Sequence, residues 1–266
     1  MLSGLIVYSK VDGDKNTWFI ETCQKRLFAH EGVLLYKDEN EVLDYVKKNH
    51  VDFVIYRARN FHIVEQLESL GIKCFNNSLT NKVANNKYLT YQFLTNLNIP
   101  CLKSNLSNDK LQYPFVMKSI DGHGGNEVFL INEKSEISKH QLSSKNYIYQ
   151  EFYENDGDLR LYVLNKKVIG AVLRKNKNDF RSNFSLGGEV LSIKPEQEIV
   201  DAAIKIASAL EADYIGVDFL KVKGEWLVNE IEDPVGARML YKACGIDAAT
   251  LFSDYVFYTP KKKQIF

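Results

Sequence analysis

Short apolar runs alternate with amphipathic stretches through the first 77 residues. Leu5-Ile6-Val7-Tyr8, Gly32-Val33-Leu34-Leu35-Tyr36, Phe53-Val54-Ile55-Tyr56 and Lys73-Cys74-Phe75-Asn76 predict strands, with helices near 15–30, 41–49 and 61–70 between them. Such repetition predicts a small parallel sheet with helices on its faces, and ligands bind beyond the strand ends of sheets of this kind. From Thr80, the spacing of Val83, Tyr88, Tyr91, Phe93, Leu94 and Leu97 predicts one helix that runs to Asn98 and is stopped by Pro100.

After Pro100 the pattern changes. Residues 114–118 and 128–131 predict a hairpin around a glycine-rich tip, 147–152 adds a third strand, and Asn155-Asp156-Gly157 marks a turn. Strands at 159–164 and 167–174, a helix from Glu196 to Leu210 and a strand pair at 214–221 and 226–232 follow. No internal repeat is present. The tail Pro260-Lys261-Lys262-Lys263 reads as a solvated end rather than a nucleic-acid patch.

Composition narrows the picture. With 45% hydrophobic and 26% charged residues over 266 positions, the chain is an ordinary folded protein, as one elaborate domain or two to three small ones. Its 34 Lys+Arg balance 34 Asp+Glu, so no whole-molecule field gathers nucleic acid or anionic lipid, and any anion must meet a local cluster. Cys23, Cys74, Cys101 and Cys244 form no C-x-x-C pair and have no neighbouring His, which predicts free thiols in a reducing compartment. The start lacks a basic signal region, and no window approaches the ~18 apolar residues of a span. A soluble cytoplasmic protein without a membrane partner is expected.

Three segments carry candidate chemistry. Asp218 and Glu230 each lie inside a run that otherwise reads as buried strand, and Glu230 and Glu232 share one face of theirs by alternation. Asp218 joins them if paired positions sum to 448, which needs an odd-length loop such as Lys223-Gly224-Glu225; an even loop sends Asp218 to the opposite face. Converging carboxylates repel by about 4 kcal/mol per pair at 4 Å and an effective dielectric of 20, so they need a cation. All-oxygen ligands favour Mg²⁺ or Mn²⁺; the alternative is pairing with Lys or Arg, or exposure at a sheet end.

Lys118 precedes Asp121-Gly122-His123-Gly124-Gly125-Asn126-Glu127, a turn whose backbone N–H groups can approach phosphate oxygens beside an inward lysine. Neither G-x-x-x-x-G-K-[ST] nor an N-terminal G-x-G-x-x-G occurs, and a plain glycine-rich turn is the competing reading. His123 reads as a lid residue. The third segment set is Gln150-Glu151-Phe152, Asp158-Leu159-Arg160 and Phe180-Arg181-Ser182-Asn183 ahead of Gly187-Gly188. A strand end beside an apolar side chain suits an adenine edge, an acid a few residues on suits ribose hydroxyls, and Arg160 and Arg181 offer planar cations for phosphate or carboxylate.

With Asn86-Lys87-Tyr88-Leu89, Val116-Met117-Lys118 and Gly216-Val217-Asp218 paired with Asn229-Glu230-Ile231-Glu232, these segments resemble the ATP-grasp superfamily, most closely its ribosomal protein S6 glutamate ligase (RimK) branch, over roughly residues 50 to 255. The resemblance implies an α/β (α+β) chain of three domains: a parallel-sheet domain at 1–78, a central lid domain at 79–152 and an antiparallel-sheet domain at 153–266. It implies ATP held between two sheets and a carboxylate activated as an acyl phosphate that an amine attacks. By matching position, Lys87, Lys118, Gly124 and Gly125 would meet ATP phosphates, Gln150, Glu151 and Phe152 the adenine, and Asp158 the ribose. Arg160, Arg181 and Asn183 would face phosphoryl transfer, and Asp218, Glu230 and Glu232 would hold two Mg²⁺ or Mn²⁺ ions. Homo-oligomers are common in that family.

One departure stands out. Glu232 occupies a position where the family usually has Asn, and Asp233-Pro234-Val235-Gly236-Ala237-Arg238 replaces its small-residue segment. A third carboxylate strengthens metal binding but lowers Lewis acidity. The expected function is an ATP-dependent carboxylate–amine ligase acting on an amino acid, peptide or protein end, with Arg57, Arg59, Arg174 and Arg238 as candidates for gripping a substrate carboxylate. An ATP-binding regulatory protein without turnover and an ATP-dependent phosphotransferase are the competing readings.

Overall fold

The computed structural model describes residues 1–125, 127–141, 144–155, 157–175 and 189–262, with backbone alone at 260–262. Its first unit is the expected parallel sheet: β1 (Ser3–Tyr8), β2 (Val33–Asp38), β3 (Phe53–Tyr56) and β4 (Lys73–Phe75), in the order β2-β1-β3-β4. Helices α1 (Lys10–Lys15), α2 (Thr17–Ala29), α3 (Val42–Lys48) and α4 (Phe61–Ser69) connect the strands. The helix predicted near 15–30 is thus two helices that meet at Asn16, and the first starts at Lys10.

The helix predicted from Thr80 is also two, α5 (Ser78–Ala84) and α6 (Lys87–Asn96). Asn86 breaks the run: its backbone is extended, and its side chain accepts from the amides of Tyr88 and Leu89 as an N-cap. Pro100 is not the stop. The helix ends before Leu97, and Asn98 follows in the left-handed region at φ 52°.

A three-stranded antiparallel sheet follows, β5 (Phe115–Ser119), β6 (Val128–Ile131) and β7 (Tyr147–Glu151), ordered β6-β5-β7, with α7 (Lys134–His140) between β6 and β7. Phe115, Met117, Tyr147 and Tyr149 bury one face against Ile131, which leaves Val116 and Lys118 on the other.

The third sheet is antiparallel and five-stranded: β8 (Asp158–Leu164), β9 (Lys167–Lys175), β10 (Glu189–Ser192), β11 (Tyr214–Val222) and β12 (Glu225–Glu232), ordered β10-β9-β8-β11-β12. Its back packs on α8 (Gln197–Ala209) through Leu161, Val217 and Ile231 against Ala203 and Ile206. Beyond β12 lie α9 (Arg238–Cys244) and α10 (Ala248–Lys262), which the apolar pattern did not predict. Helix α10 packs on α2, and Phe252 joins Tyr8, Phe19, Phe53 and Phe75 with Tyr162 and Tyr214 in one core that binds the first sheet to the third. All four cysteines are free; burial raises the Cys23 thiol to about 11 and also raises that of Cys74. Among the described residues no helix is long and apolar enough to cross a membrane.

Candidate active site

The hairpin β11–β12 corrects one expectation and explains its outcome. Its loop is the even pair Lys223-Gly224, with Val222 opposite Glu225, yet Asp218 pairs with Glu230. A β-bulge reconciles the two. Phe219 pairs with Val228, so Asn229 is the extra residue, and register beyond it returns to the sum of 448. Val228 and Ile231 therefore both face the core while Glu230 and Glu232 face the opposite side with Asp218. The three carboxylates bring ligand atoms within 4.8 Å of one another.

Cations interleave with these acids. Arg160 donates from Nε to Asp218 Oδ1 at 2.6 Å and from Nη2 to Asp218 Oδ2 at 2.6 Å and Glu232 Oε1 at 2.8 Å. Arg174 donates from Nη2 to Asp218 Oδ2 at 2.6 Å and engages Asp158 through both Nε and Nη2. Burial opposes a charge on Asp218, but Arg160 and Arg174 outweigh it and hold the carboxyl down to about 2. Lys87 sits 3.4 Å from Glu230, and Lys118 donates to Asn229 Oδ1 at 2.9 Å. Burial pulls Lys118 down to about 8, with Glu230 opposing and Lys87 assisting.

One role read from the sequence changes here. Arg160 is spent on carboxylates, so it orients Asp218 and Glu232 instead of reaching a phosphate. Asp158 is buried and held by Arg174, and both residues line the cleft. Arg181, Asn183, Phe180, Ser182 and Gly187-Gly188 lie outside the described residues.

Most of the other site residues come together around one open cleft, whereas Arg57, Arg59 and Arg238 lie outside its lining. Lys87, Lys118, Gly124, Gly125, Gln150, Glu151 and Phe152 line it together with Asp158, Asp218, Glu230 and Glu232. Asn86, as N-cap, fixes Lys87 at the first turn of α6, and the Lys87 amide donates to Ile120 O at 3.0 Å, tying the helix to the end of β5. Gly124 and Gly125 hold φ of 70° and 78°, a left-handed pair that side chains resist, and a Cβ on Gly124 would meet open space. Gln150 is buried, its amide donating to Ser104 Oγ at 2.9 Å, while Glu151 is exposed and accepts from Tyr153 OH.

The segment after Pro100 sets the two sheets face to face. Leu102 N donates to Val228 O at 2.9 Å on one sheet, and Asn105 exchanges two bonds with Tyr149 on the other. Sequence reasoning missed the apolar lining, Leu102, Val116, Val128 and Leu220, and the polar residues Tyr153, Asn155 and Asn229. Alternation held the signal for two of them: Val116 stands two residues from Lys118, and Leu220 two from Asp218. The bulge that turns Asn229 into the cleft has no such signature.

A divalent ion fits this donor set. Three carboxylates supply hard oxygen ligands, Glu230 and Glu232 are only half-buried, and Asp218 retains acceptor capacity beyond its three hydrogen bonds. Arg160 bridges Asp218 and Glu232, so an ion on those oxygens shares them with a guanidinium.

Two facing antiparallel sheets with lysines, a glycine turn and a carboxylate trio between them define the ATP-grasp class. The chain belongs to the RimK-like ATP-grasp family, whose domain matches residues 84–256. It is thus an enzyme of the carbon–nitrogen ligase type, in a family that uses ATP and divalent metal. A Mycoplasma pneumoniae protein, the MG011 homolog, is 32% identical over 90% of this chain and 87% of its own length. A Haemophilus influenzae protein named probable alpha-L-glutamate ligase is 28% identical over 73% of this chain and 70% of its own. Among solved structures, D-alanine–D-alanine ligase from Bacillus anthracis shares the fold with a TM-score of 0.78 over 99% of both chains at 18% identity.

Proposed function

We propose that this chain joins a carboxylate to an amine at the expense of ATP, through an acyl phosphate, acting on an amino acid, a peptide or a protein end as a cytoplasmic enzyme. The observation that carries the reading is the cleft itself: Lys87 and Lys118 face Asp218, Glu230 and Glu232 across two sheets beside an apolar slot. The name of the Haemophilus influenzae relative, probable alpha-L-glutamate ligase, supports an amino acid as one substrate.

In this reading Val116, Leu102, Leu220 and Phe152 take the adenine ring, and Lys87 and Lys118 meet the phosphates. A divalent ion on Asp218, Glu230 and Glu232 would supply further positive charge to the phosphate chain. Arg160 and Arg174 hold Asp218 in place, so the carboxylates are oriented before substrate arrives. The substrate carboxylate attacks the γ-phosphorus and ADP leaves; the amine then attacks the acyl carbon, phosphate leaves and the amine loses a proton. No protein nucleophile is needed, and positioning carries the rate. The division at 78/79 and 152/153 serves this chemistry: the central unit, with its turn at Gly122–Gly125, closes on the third sheet and keeps water off the acyl phosphate.

The test is ADP release with Mg·ATP and pooled amino acids and peptides, read together with product mass. Release that requires both a carboxylate and an amine supports ligation. A second reading, ATP binding without turnover, draws on the hold of Arg160 on Asp218 and Glu232; ADP release dependent on Mg²⁺ excludes it. ADP release with a hydroxyl acceptor and no amine would instead make the chain a phosphotransferase.

A further inference from the structure

The bulge in β12 exchanges what two neighbouring residues face. Counted back from Glu232 and Glu230 by strict alternation, Asn229 falls on the core face and Val228 on the cleft. With Phe219 opposite Val228 and Asp218 opposite Glu230, the structure has the reverse: Val228 lies in the core that packs on α8, and Asn229 lines the cleft. The exchange is pinned from both edges of the strand. On one edge runs β11; on the other, Val228 N donates to Pro100 O at 2.9 Å and Leu102 N donates to Val228 O at 2.9 Å. An amide is thus held, half-buried, where unbroken register would set a valine.

Across the cleft, Lys118 of β5 donates to Asn229 Oδ1 at 2.9 Å. An ammonium carries only donors, so the amide oxygen is the atom that faces it and the amino group of Asn229 is turned elsewhere. Among the described residues no acceptor bonds that amino group. Asn229 precedes Glu230 in the chain, and on the paired strand Leu220 of the apolar slot lies two residues from Asp218. Lys118 likewise lies two residues from Val116 of the slot. Lys118 and Asn229 therefore meet between the slot and the carboxylates. With a nucleoside in the slot and an ion on the acids, the group that falls there is the phosphate next to the ribose.

The neutral partner matters. Of the acids whose fields reach Lys118, Glu230 acts most strongly, ahead of Asp158 and Asp218, and Lys87 works against them. None of these acids is bonded to Lys118 among the described residues, and Glu230 stands 3.4 Å from Lys87. A carboxylate at 229 would pair with the ammonium and cancel charge that a phosphate needs. An apolar side chain there would leave a half-buried ammonium without its acceptor. The amide supplies the acceptor and keeps the charge.

We propose that Asn229 and Lys118 act as one donor pair for the phosphate next to the ribose: the Asn229 oxygen orients the ammonium, and the Asn229 amino group donates to that phosphate directly. This rests on the nucleotide reading above and adds to it a residue brought in by the bulge. Asn229 is a binding residue for the nucleotide and a positioning residue for Lys118.

Calorimetric titration of the full chain with Mg²⁺ and AMP, ADP or either diastereomer of ADPαS tests it. Asn229→Leu is expected to weaken AMP and ADP by the same factor, about tenfold, the worth of one hydrogen bond to a charged group. In ADPαS, sulfur replaces one or the other oxygen of the phosphate in question and accepts poorly, so the wild type is expected to prefer one diastereomer and Asn229→Leu to lose that preference. In a Lys118→Met background the Asn229→Leu loss is expected to shrink, because half of the pair is already gone. Asn229→Asp, which restores an acceptor but neither the donor nor the neutrality, is expected to weaken ADP at least as much as Asn229→Leu. Should Asn229→Leu lower the unfolding midpoint, Asn229→Ala is read in its place. A wild type without stereopreference, a preference kept by the variant, or a loss seen with ADP and not with AMP overturns the proposal even where ADP release upholds ligation. Stereopreference that depends on Asn229 in a chain that releases no ADP would fail the ligase reading alone.

Discussion

Lys118 and Arg160 show how burial decides what a side chain does. Lys118 is held near 8 by desolvation, so it is protonated below that pH and neutral above it. In the proposed reading the protonated form meets phosphate, so kcat/KM for ATP is expected to fall as pH rises through about 8, a limb that Lys118→Arg moves upward. Arg160 is buried between Asp218 and Glu232. Its removal leaves two carboxylates facing each other, and Arg160→Ala is expected to cost about 3–5 kcal/mol of stability by denaturant unfolding, partly restored by Mg²⁺. The sequence made both residues legible as charges at a site. What it could not supply was the partner: Arg160 and Asp218 lie 58 positions apart and meet only because β8 and β11 pair in the register that sets them opposite each other.

At the scale of elements, the hairpin β11–β12 shows where pattern reading stops. Alternation correctly puts Glu230 and Glu232 on one face, but the loop is even, and the bulge at Asn229 that still brings Asp218 to that face leaves no mark in apolar periodicity. Both loop residues have positive φ, 51° at Lys223 and 95° at Gly224, a turn that favours Asn-Gly. Lys223→Asn is therefore expected to raise stability by about 0.5–1 kcal/mol, read as a shift in denaturant midpoint with unchanged slope. The helix split at Asn85-Asn86 was hidden for a similar reason: apolar spacing continues across it, and only the capping chemistry of Asn86 marks the break. Asp233 staples the end of β12 to α5 through Asn81 and to the segment after β4 through Asn76, and burial raises its carboxyl to about 6. The folded state then holds a proton that the unfolded chain releases near 4, so this group favours folding below that pH and loses its contribution as pH rises toward 6. Asp233→Asn is expected to flatten the pH dependence of stability across that window.

For the whole molecule, zero net charge conceals a polarised interior. Lys87, Lys118, Arg160 and Arg174 interleave with Asp158, Asp218, Glu230 and Glu232 around one cleft, a balance that composition reports only as a sum. The two antiparallel sheets line it from either side, and the parallel sheet is locked to the third sheet by α10 and α2. Asp218→Ala is expected to abolish Mg²⁺-dependent ADP release, because it removes the carboxylate that both arginines orient. The central claim, activation of a carboxylate as an acyl phosphate, is tested most directly by isotope transfer. With the carboxylate substrate labelled in both oxygens with ¹⁸O, each turnover is expected to deliver one labelled oxygen to the phosphate released, detected by mass spectrometry. Phosphate that carries no label from the substrate, with amide product still formed, would contradict the account.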